Sequence, residues 1–222
     1  AGNADIIGNG VTSAGGLSLL TIAGGAYVNT NGGSRTLVVN NGGAAGVTGV
    51  LTIADGSAAI SNLQLGATAN AGEAIVNLEG GTLFANIIKG SGAGANKTFN
   101  FNGGTLAPLV SRGDFLQGLT RANVYTNGAI IDNGGFDVTI GQALEHGEGL
   151  GATPDGGLRK RGTGRLTLAA SNSYDGLTTV EAGVLRIQDP GGLGAPALGT
   201  GVSDGERGEL SGGLTVAGGG IG

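Results

Sequence analysis

The side chains best suited to chemistry lie between residues 132 and 155. They are Asp132, Asp137, Glu145, His146, Glu148 and Asp155. Paired carboxylates cleave glycosidic bonds by acid and base catalysis, and a calcium cluster beside a basic residue is the other arrangement to consider for polysaccharide cleavage. The segment is rich in glycine, which indicates a loop with solvated charges. We therefore predict no catalysis at these residues.

Other familiar catalytic and metal-binding patterns are missing from the sequence. The chain has a single histidine, His146, and no cysteine for a thiolate zinc site. The calcium-binding phrase G-G-x-G-x-D does not occur. Arg112 and Asp114 are expected to form a local ion pair of little energetic value. The prediction is a protein without enzymatic activity, bound metal or cofactor.

The composition indicates an ordered chain with thin, repetitive packing. Glycine contributes 51 of 222 residues, far above its usual share of about 7%. Disordered chains combine low hydrophobicity with high net charge, whereas here the mean hydropathy is +0.18 and the net charge is −5. Aromatic residues make up 4% of the chain. A core of alanine, valine, leucine and isoleucine is therefore expected.

The charge balance limits the classes of partner. A pI near 4.7 argues against a nucleic-acid partner, which favours a basic surface. Arg159, Lys160 and Arg161 form the basic cluster of the chain, and we expect them to be a solvated turn or a guard at a strand edge. No run of 18 apolar residues exists, so no transmembrane segment is predicted.

Short strands are predicted along the whole chain. Residues 17–25 (LSLLTIAGG), 49–56 (GVLTIADG) and 165–170 (RLTLAA) alternate or are β-branched, and each ends at residues that favour turns. Residues 115–123 are the best candidate for a helix, and because Gly118 interrupts them we expect one short helix or a turn there.

The strands repeat at intervals too long for tight hairpins. Residues 76–83 (VNLEGGTL) return 23 positions later as residues 99–106 (FNFNGGTL), and a fainter third copy begins at Val124. A second short pattern, leucine–threonine–aliphatic–alanine, occurs four times, beginning at Leu20, Leu51, Leu166 and Leu214. Such spacing is typical of one coil in a solenoid.

We therefore predict an all-β chain folded as a right-handed parallel β-helix with roughly 19–31 residues per coil. Equivalent strands of successive coils would pair, glycine would occupy the corners, and stacked asparagine and threonine would form ladders of side-chain hydrogen bonds. The alternative is an antiparallel sandwich or barrel, to which the repeated Asn-Gly pairs would supply turns.

Residues 157–187 read GLRKRGTGRLTLAASNSYDGLTTVEAGVLRI. This stretch resembles the autotransporter-associated β-strand repeat, whose pattern is approximately L-x-K-x-G-x-G-x-L-x-L-x-x-x-N-x-Y-x-G-x-T-x-V-x-x-G-x-L-x-[VI]. The matching positions are Gly162, Gly164, Leu166, Leu168, Asn172, Tyr174, Gly176, Thr178, Val180, Gly183, Leu185 and Ile187. The resemblance extends to about residue 217, and Leu177 departs from it where the family usually has glycine.

The resemblance implies a passenger segment of a large Gram-negative surface or secreted protein, exported through the periplasm. It also implies that the repeat assists secretion and folding and performs no chemistry. Residues 1–156 are expected to form irregular glycine-rich coils, and residues 157–222 coils of the repeat type, within one solenoid that is part of a longer protein. In that solenoid Leu166 and Leu168 would pack against Leu185 and Ile187 of the next coil.

We therefore predict a non-catalytic structural or adhesive segment at the outer surface of a Gram-negative cell. Self-association or continuation with further coils, in a fibre or a sheath, is one expected interaction. Contact with a host surface or a glycan is another, with residues 141–157 as a loop that could present it. The alternative function is a β-helix enzyme that cleaves polysaccharides, or the stalk of one.

Overall fold

A computed structural model describes residues 5–7, 16–30, 35–41, 46–66, 72–92, 95–195, 214–216 and 220–221. None of these residues lies in a helix, and so none of them forms a helix able to span a membrane. The strands are β1 (Asp5–Ile7), β2 (Leu17–Asn29), β3 (Thr36–Val39), β4 (Thr48–Leu65), β5 (Gly72–Leu78), β6 (Thr82–Gly90), β7 (Ala95–Phe101), β8 (Thr105–Pro108), β9 (Arg112–Gln117), β10 (Arg121–Val124), β11 (Ala129–Asp132), β12 (Val138–Ile140), β13 (Glu145–His146), β14 (Leu158–Arg161), β15 (Arg165–Leu168), β16 (Thr178–Val180), β17 (Val184–Ile187), β18 (Leu214–Val216) and β19 (Gly220–Ile221).

The strands stack into three faces, each made of equivalent segments from successive coils. Face 1 contains residues 17–22 of β2, residues 48–53 of β4, β5, β7, β10 and β13. Face 2 contains residues 26–29 of β2, residues 57–60 of β4, residues 82–85 of β6, β8, β11, β14, β16 and β18. Face 3 contains β1, β3, residues 62–65 of β4, residues 87–90 of β6, β9, β12, β15, β17 and β19.

Every pairing between described strands is parallel, which confirms the β-solenoid and rules out the antiparallel sandwich. Of the short helix or turn expected at 115–123, the helix is wrong, because residues 112–117 and 121–124 pair as strands with neighbouring coils and residues 118–120 connect them. The handedness of the coils stays a prediction.

On two faces, the strands align in the register that the 23-residue repeat predicts. Val76 aligns with Phe99 on face 1, and Leu83 aligns with Leu106 on face 2. The third copy is shifted on face 1, because Val124 aligns with Phe101 and not with Phe99. Between the aligned positions of face 1 and those of face 2, the chain has two more residues after Val124 than after Phe101. On face 2, therefore, Ile130 aligns with Thr105, which is the alignment that the third copy predicts.

Coil length varies with the corner loops. The length of a coil is the number of positions between two aligned residues. Arg165 aligns with Val184, so this coil has 19 residues and is the shortest on face 3, and most other coils lie within the predicted range. The steps from 5 to 37 and from 178 to 214 span 32 and 36 residues, which exceeds the prediction of 31.

The interior is a continuous stack of apolar side chains. On face 1, Leu78, Phe101 and Val124 align on successive coils and are fully buried. The ring of Phe99 lies beside that of Phe101, with 4.6 Å between their centroids. Burial of each such side chain contributes roughly 1.5–3 kcal/mol, so the stack supplies the main driving force for coil closure.

A ladder of polar side chains runs along the outer side of face 1. Asn77 donates a hydrogen bond from Nδ2 to Thr52 Oγ1 (3.3 Å), Asn100 to Asn77 Oδ1 (2.8 Å) and Asn123 to Asn100 Oδ1 (2.9 Å). These bonds confirm the predicted asparagine–threonine ladder. They join four successive coils through side chains, in addition to the backbone pairing.

Candidate functional site

The coil that carries the repeat motif is the candidate functional site. Its apolar positions face the interior: Leu166 aligns with Leu185 and Leu168 with Ile187 on face 3, as the repeat predicts. Val180 is buried on face 2. The glycines of the motif lie at the corners of the coil, at Gly162, Gly164, Gly176 and Gly183. They allow close backbone packing, since an added Cβ at each would collide with a neighbouring coil.

Lys160 closes the corner between faces 2 and 3 from the inside. Its side chain lies between Ile131 of the preceding coil and Val180 of the following coil, and it is fully buried. Its Nζ lies 2.7 Å from Asn133 Oδ1, and 3.0, 2.8 and 3.0 Å from the carbonyl oxygens of Arg161, Gly162 and Ala182, respectively. The ammonium therefore joins three successive coils at one corner.

The expectation of a solvated basic cluster at 159–161 is wrong for Lys160. Strand alternation places Lys160 inside, whereas Arg159 and Arg161 lie outside and both pair with Glu181. Burial lowers the pKa of Lys160 to about 8, against the attraction of the Asp132 carboxylate. The acceptors at the corner satisfy the donors of the ammonium, which makes its burial tolerable.

Asn172 performs the equivalent task at the corner between faces 3 and 1. Its Oδ1 accepts a hydrogen bond from the backbone N–H of Leu144 in the preceding coil, at 2.8 Å. Its Nδ2 donates to the carbonyl of Gly192 in the following coil, and its backbone N–H donates to Gly191. Asn172 is buried, so this residue of the repeat motif is an interior link between three coils.

Tyr174 fills the interior beside this corner. It is fully buried, and its hydroxyl shares a 2.6 Å hydrogen bond with Thr178 Oγ1, which is also buried. Burial raises the pKa of the Tyr174 phenol, because the phenolate would lose its hydration. Tyr174 therefore acts as a neutral core residue whose polar end is bonded within its own coil.

The third corner, between faces 1 and 2, holds His146, Asp155 and Asp175. The side chain of Asp155 is fully buried. Its Oδ1 accepts backbone N–H bonds from Gly157 and Gly176, and its Oδ2 accepts one from Asp175. The backbone N–H of Asp155 donates in return to Asp175 Oδ1, at 2.8 Å. Two successive coils are thereby locked by reciprocal bonds.

His146 completes this corner from the end of face 1. Its Nδ1 lies 3.1 Å from Asp155 Oδ2 and 3.1 Å from Asp175 Oδ1. Burial alone lowers the pKa of His146, but the hydrogen bond to Asp155 and the charge of Asp175 outweigh burial and raise it. Burial also raises the pKa of Asp175, but hydrogen bonds with Asp155 and the charge of His146 outweigh it and lower the pKa.

These three residues could each offer one ligand atom to a metal ion, since the atoms lie within 4.8 Å of one another. The donors around Asp155 disfavour that use. Three backbone N–H groups already occupy its oxygens, and a metal ion would have to displace some of them. The geometry therefore fits a hydrogen-bonded corner in which His146 bridges two carboxylates.

The remaining charged candidates do not converge with this corner. Asp137 pairs with Arg165 at 3.6 Å beside face 3, and Glu148 pairs with Arg121 at 3.6 Å beside face 1. Asp132 accepts a hydrogen bond from the backbone N–H of Gly134 in an exposed turn. The half-buried Glu145 aligns with Asn123 on face 1.

The predicted pair of Arg112 and Asp114 is present, with two hydrogen bonds of 2.7 and 2.8 Å.

The expectation of a solvated loop at residues 132–155 is wrong for four of the charged residues. Asp132 ends β11, and Glu145 and His146 form β13. Asp155 is buried and accepts backbone hydrogen bonds from its own coil and from the next coil. Sequence reasoning also missed Asp175 and Asn133, whose partners lie 20 or more positions away. The alternation of Leu158 and Lys160 was the available signal for the buried lysine.

The fold and its corners define a repeat-built parallel β-solenoid. Residues 158–187 match the family model of the passenger-associated-transport-repeat. The chain is also 38% identical over 104 residues to the adhesin BmaC autotransporter of Brucella suis biovar 1 (strain 1330). That similarity covers 46% of this chain and 2% of the length of the relative. Residues 158–187 therefore carry a passenger-associated-transport-repeat. No solved structure matches it.

Proposed function

We propose that this chain is a non-catalytic structural and adhesive segment of a passenger displayed at the surface of a Gram-negative bacterium. The observation that carries the proposal is the burial of the polar side chains that define the repeat. Lys160, Asn172, Tyr174 and Thr178 are all buried and bonded within the solenoid. Lys160 and Asn172 hold successive coils together, Tyr174 and Thr178 bond within one coil, and none of the four is available to a substrate in solution.

The adhesive part of the proposal is supported by the relative, which is named an adhesin. A rod of stacked coils also suits display, because its outer faces tolerate different side chains while the interior stays the same. The proposed location is the outer surface of the cell, which the protein would reach through the periplasm.

The proposal can be tested by display on a non-adherent Gram-negative host. The chain would replace the passenger of an unrelated autotransporter, with an inert passenger of equal length as the control. We expect the displayed chain to increase the number of cells retained on a surface coated with extracellular matrix. Equal retention at equal surface amounts would overturn the adhesive role, and release of sugars from polysaccharides by the purified chain would overturn the non-catalytic role.

We also propose that the repeat assists secretion by folding in one direction. Lys160 and Asn172 each bind atoms of the preceding coil and of the following coil. A folded coil therefore presents bonding partners to the next coil as it emerges. Asn172→Ala is expected to lower the surface amount of the displayed chain, whereas Arg159→Met, on the outside of face 2, should leave it unchanged. Equal surface amounts for both variants would contradict this role.

Self-association or continuation with further coils is the third proposal. Within the described residues, β2 has a strand partner on one of its two edges over most of its length. Leu17, Leu19 and Val28 of β2 are 62–68% exposed, which is unusual for large apolar side chains. Sedimentation of the chain at rising concentration should show association that Leu19→Lys weakens. A monomer at every concentration would contradict it.

A further inference from the structure

An arginine-lined groove lies on the outer side of face 3. We name it the arginine groove, and its polar lining residues are Ser111, Arg112, Asp137, Thr139, Arg165, Thr167 and Arg186. Its volume is about 300 Å³. The groove belongs to none of the three polar corners, whose side chains lie inside the solenoid. It also lies apart from the asparagine ladder, which is on face 1.

The register of the strands sets the spacing of the groove. Thr139 aligns with Thr167, and Thr167 aligns with Arg186, so these side chains lie on three successive coils. Neighbouring parallel strands are about 4.8 Å apart. Arg112 lies one coil before Thr139, because it aligns with Val138. The groove therefore runs along the axis of the solenoid across four coils.

The positive charge of the groove is only partly neutralised. Arg112 is engaged by Asp114 through two hydrogen bonds. Arg165 pairs at 3.6 Å with Asp137, which also lines the groove, and this pair is weak because both side chains are exposed to solvent. No ion pair involving Arg186 occurs among the residues that the structure describes. Although the chain as a whole is acidic, this face therefore carries arginine side chains whose N–H donors are not all engaged by carboxylates.

The chemistry of the groove fits a linear acidic polysaccharide. Guanidinium groups bind carboxylate and sulfate through paired N–H donors. Ser111 and Thr139 add hydroxyl groups that can bond sugar hydroxyls, and the spacing between coils is close to the length of a pyranose ring. A peptide is a poorer fit, because β12 and β15 are paired on both edges and leave no strand edge for backbone addition.

We infer that the arginine groove of face 3 binds a linear polysaccharide bearing carboxylate or sulfate groups, laid along the solenoid axis. This inference rests on the proposed adhesive function and names the chemical class of its partner. Arg165 and Arg186 supply the main contacts. Because the attraction is between exposed charges, binding weakens as ionic strength rises.

The test is calorimetric titration of the complete chain with dextran sulfate, with neutral dextran as the control ligand. We expect Arg165→Gln and Arg186→Gln each to weaken binding by about tenfold, the usual effect of losing a charged hydrogen bond. Arg159→Gln and Arg121→Gln change the net charge equally but lie on faces 2 and 1, so they should change the affinity by less than about twofold.

Three results would overturn the inference. The first is equal binding of dextran sulfate and dextran, and the second is an equal loss in all four variants, which would indicate attraction by net charge alone. The third is competition by polyglutamate as strong as that by dextran sulfate, which would assign the groove to an acidic protein segment. If display still confers adhesion while dextran sulfate fails to bind, only this inference fails and the adhesive function stands.

Discussion

Lys160 illustrates how a charged residue serves as part of a solenoid interior. It occupies a position equivalent to Ile131 and Val180, yet its ammonium reaches four oxygen atoms from three coils. Such a group stabilises the fold only while every donor and acceptor is matched, since an unmatched buried polar atom is destabilising. The same logic applies to Asn172 and Asp155 at the other two corners.

Replacement of Lys160 by methionine should therefore be strongly destabilising, although methionine is unbranched like lysine and shorter only by the ammonium nitrogen. Four acceptors would lose their donor, and we expect the free energy of unfolding to fall by about 2–4 kcal/mol. Arg159→Met on the same strand should change it by less than about 0.5 kcal/mol, because its pair with Glu181 is exposed. Urea unfolding measures both, and equal effects would contradict the role of Lys160.

His146 should make the stability of the solenoid depend on pH. Its folded-state pKa is raised, so the folded chain binds the proton more tightly than the unfolded chain does. The added stability is fully present below the unfolded pKa of about 6.5 and is lost as the pH rises through the folded pKa.

This dependence can be followed by urea unfolding between about pH 5.5 and about pH 7.5, below the pKa of about 8 at which Lys160 titrates. The wild-type chain should lose stability as the pH increases, and His146→Gln should lack this loss because the chain has no other histidine. A wild-type stability that rises with pH over this window would contradict the bridge to Asp155 and Asp175.

At the scale of the elements, short strands are held together by close approach of the corners. Gly164 shows this requirement: a Cβ there would collide with the carbonyl of Phe136 in the preceding coil. The backbone N–H of Gly164 donates to Gly134, which keeps the two corners in contact. A side chain at this position would push the corner at Gly164 away from the corner of the preceding coil.

Gly164→Ala should lower the free energy of unfolding by about 3 kcal/mol, the upper range for an overpacked site. Gly113→Ala is the matched control, because a Cβ at Gly113 meets no atom within 4 Å. Thermal unfolding compares the two variants. An equal effect at both positions would mean that intrinsic strand preference, and not corner packing, determines the loss.

The elements also show the limit of local sequence patterns. The phrase of leucine, threonine, aliphatic residue and alanine correctly indicates strands at Leu51, Leu166 and Leu214, but these lie on faces 1, 3 and 2 respectively. A strand's own sequence determines its alternation of inner and outer side chains. Its face depends on how many residues the preceding corners use.

At the scale of the whole molecule, the solenoid is nearly one-dimensional, since each coil contacts mainly its neighbours. A local defect should therefore spread to adjacent coils and fade with distance. The division into irregular coils at 1–156 and repeat coils at 157–222 stays a prediction. Pairing of β11 with β14 joins the two segments on face 2.

Asn100→Ala provides a test of this behaviour. The substitution removes two hydrogen bonds of the ladder, which should weaken the coils around it by about 1–2 kcal/mol. Hydrogen exchange should accelerate in β5, β7 and β10, and remain unchanged in β15 and β17. Uniform acceleration along the chain would show that the solenoid unfolds as one cooperative unit.

The sequence by itself determined the all-β class, the parallel solenoid, the alignment of Leu166 with Leu185 and the passenger-repeat resemblance. Each depends on period-two alternation and on phrases that recur after one coil, which are visible in a linear chain. Only the tertiary structure decided that Lys160 is buried and that His146, Asp155 and Asp175 meet at one corner. Their partners lie about 10 to 30 positions away, so their contacts depend on the length and closure of the corner loops, which short-range patterns do not encode.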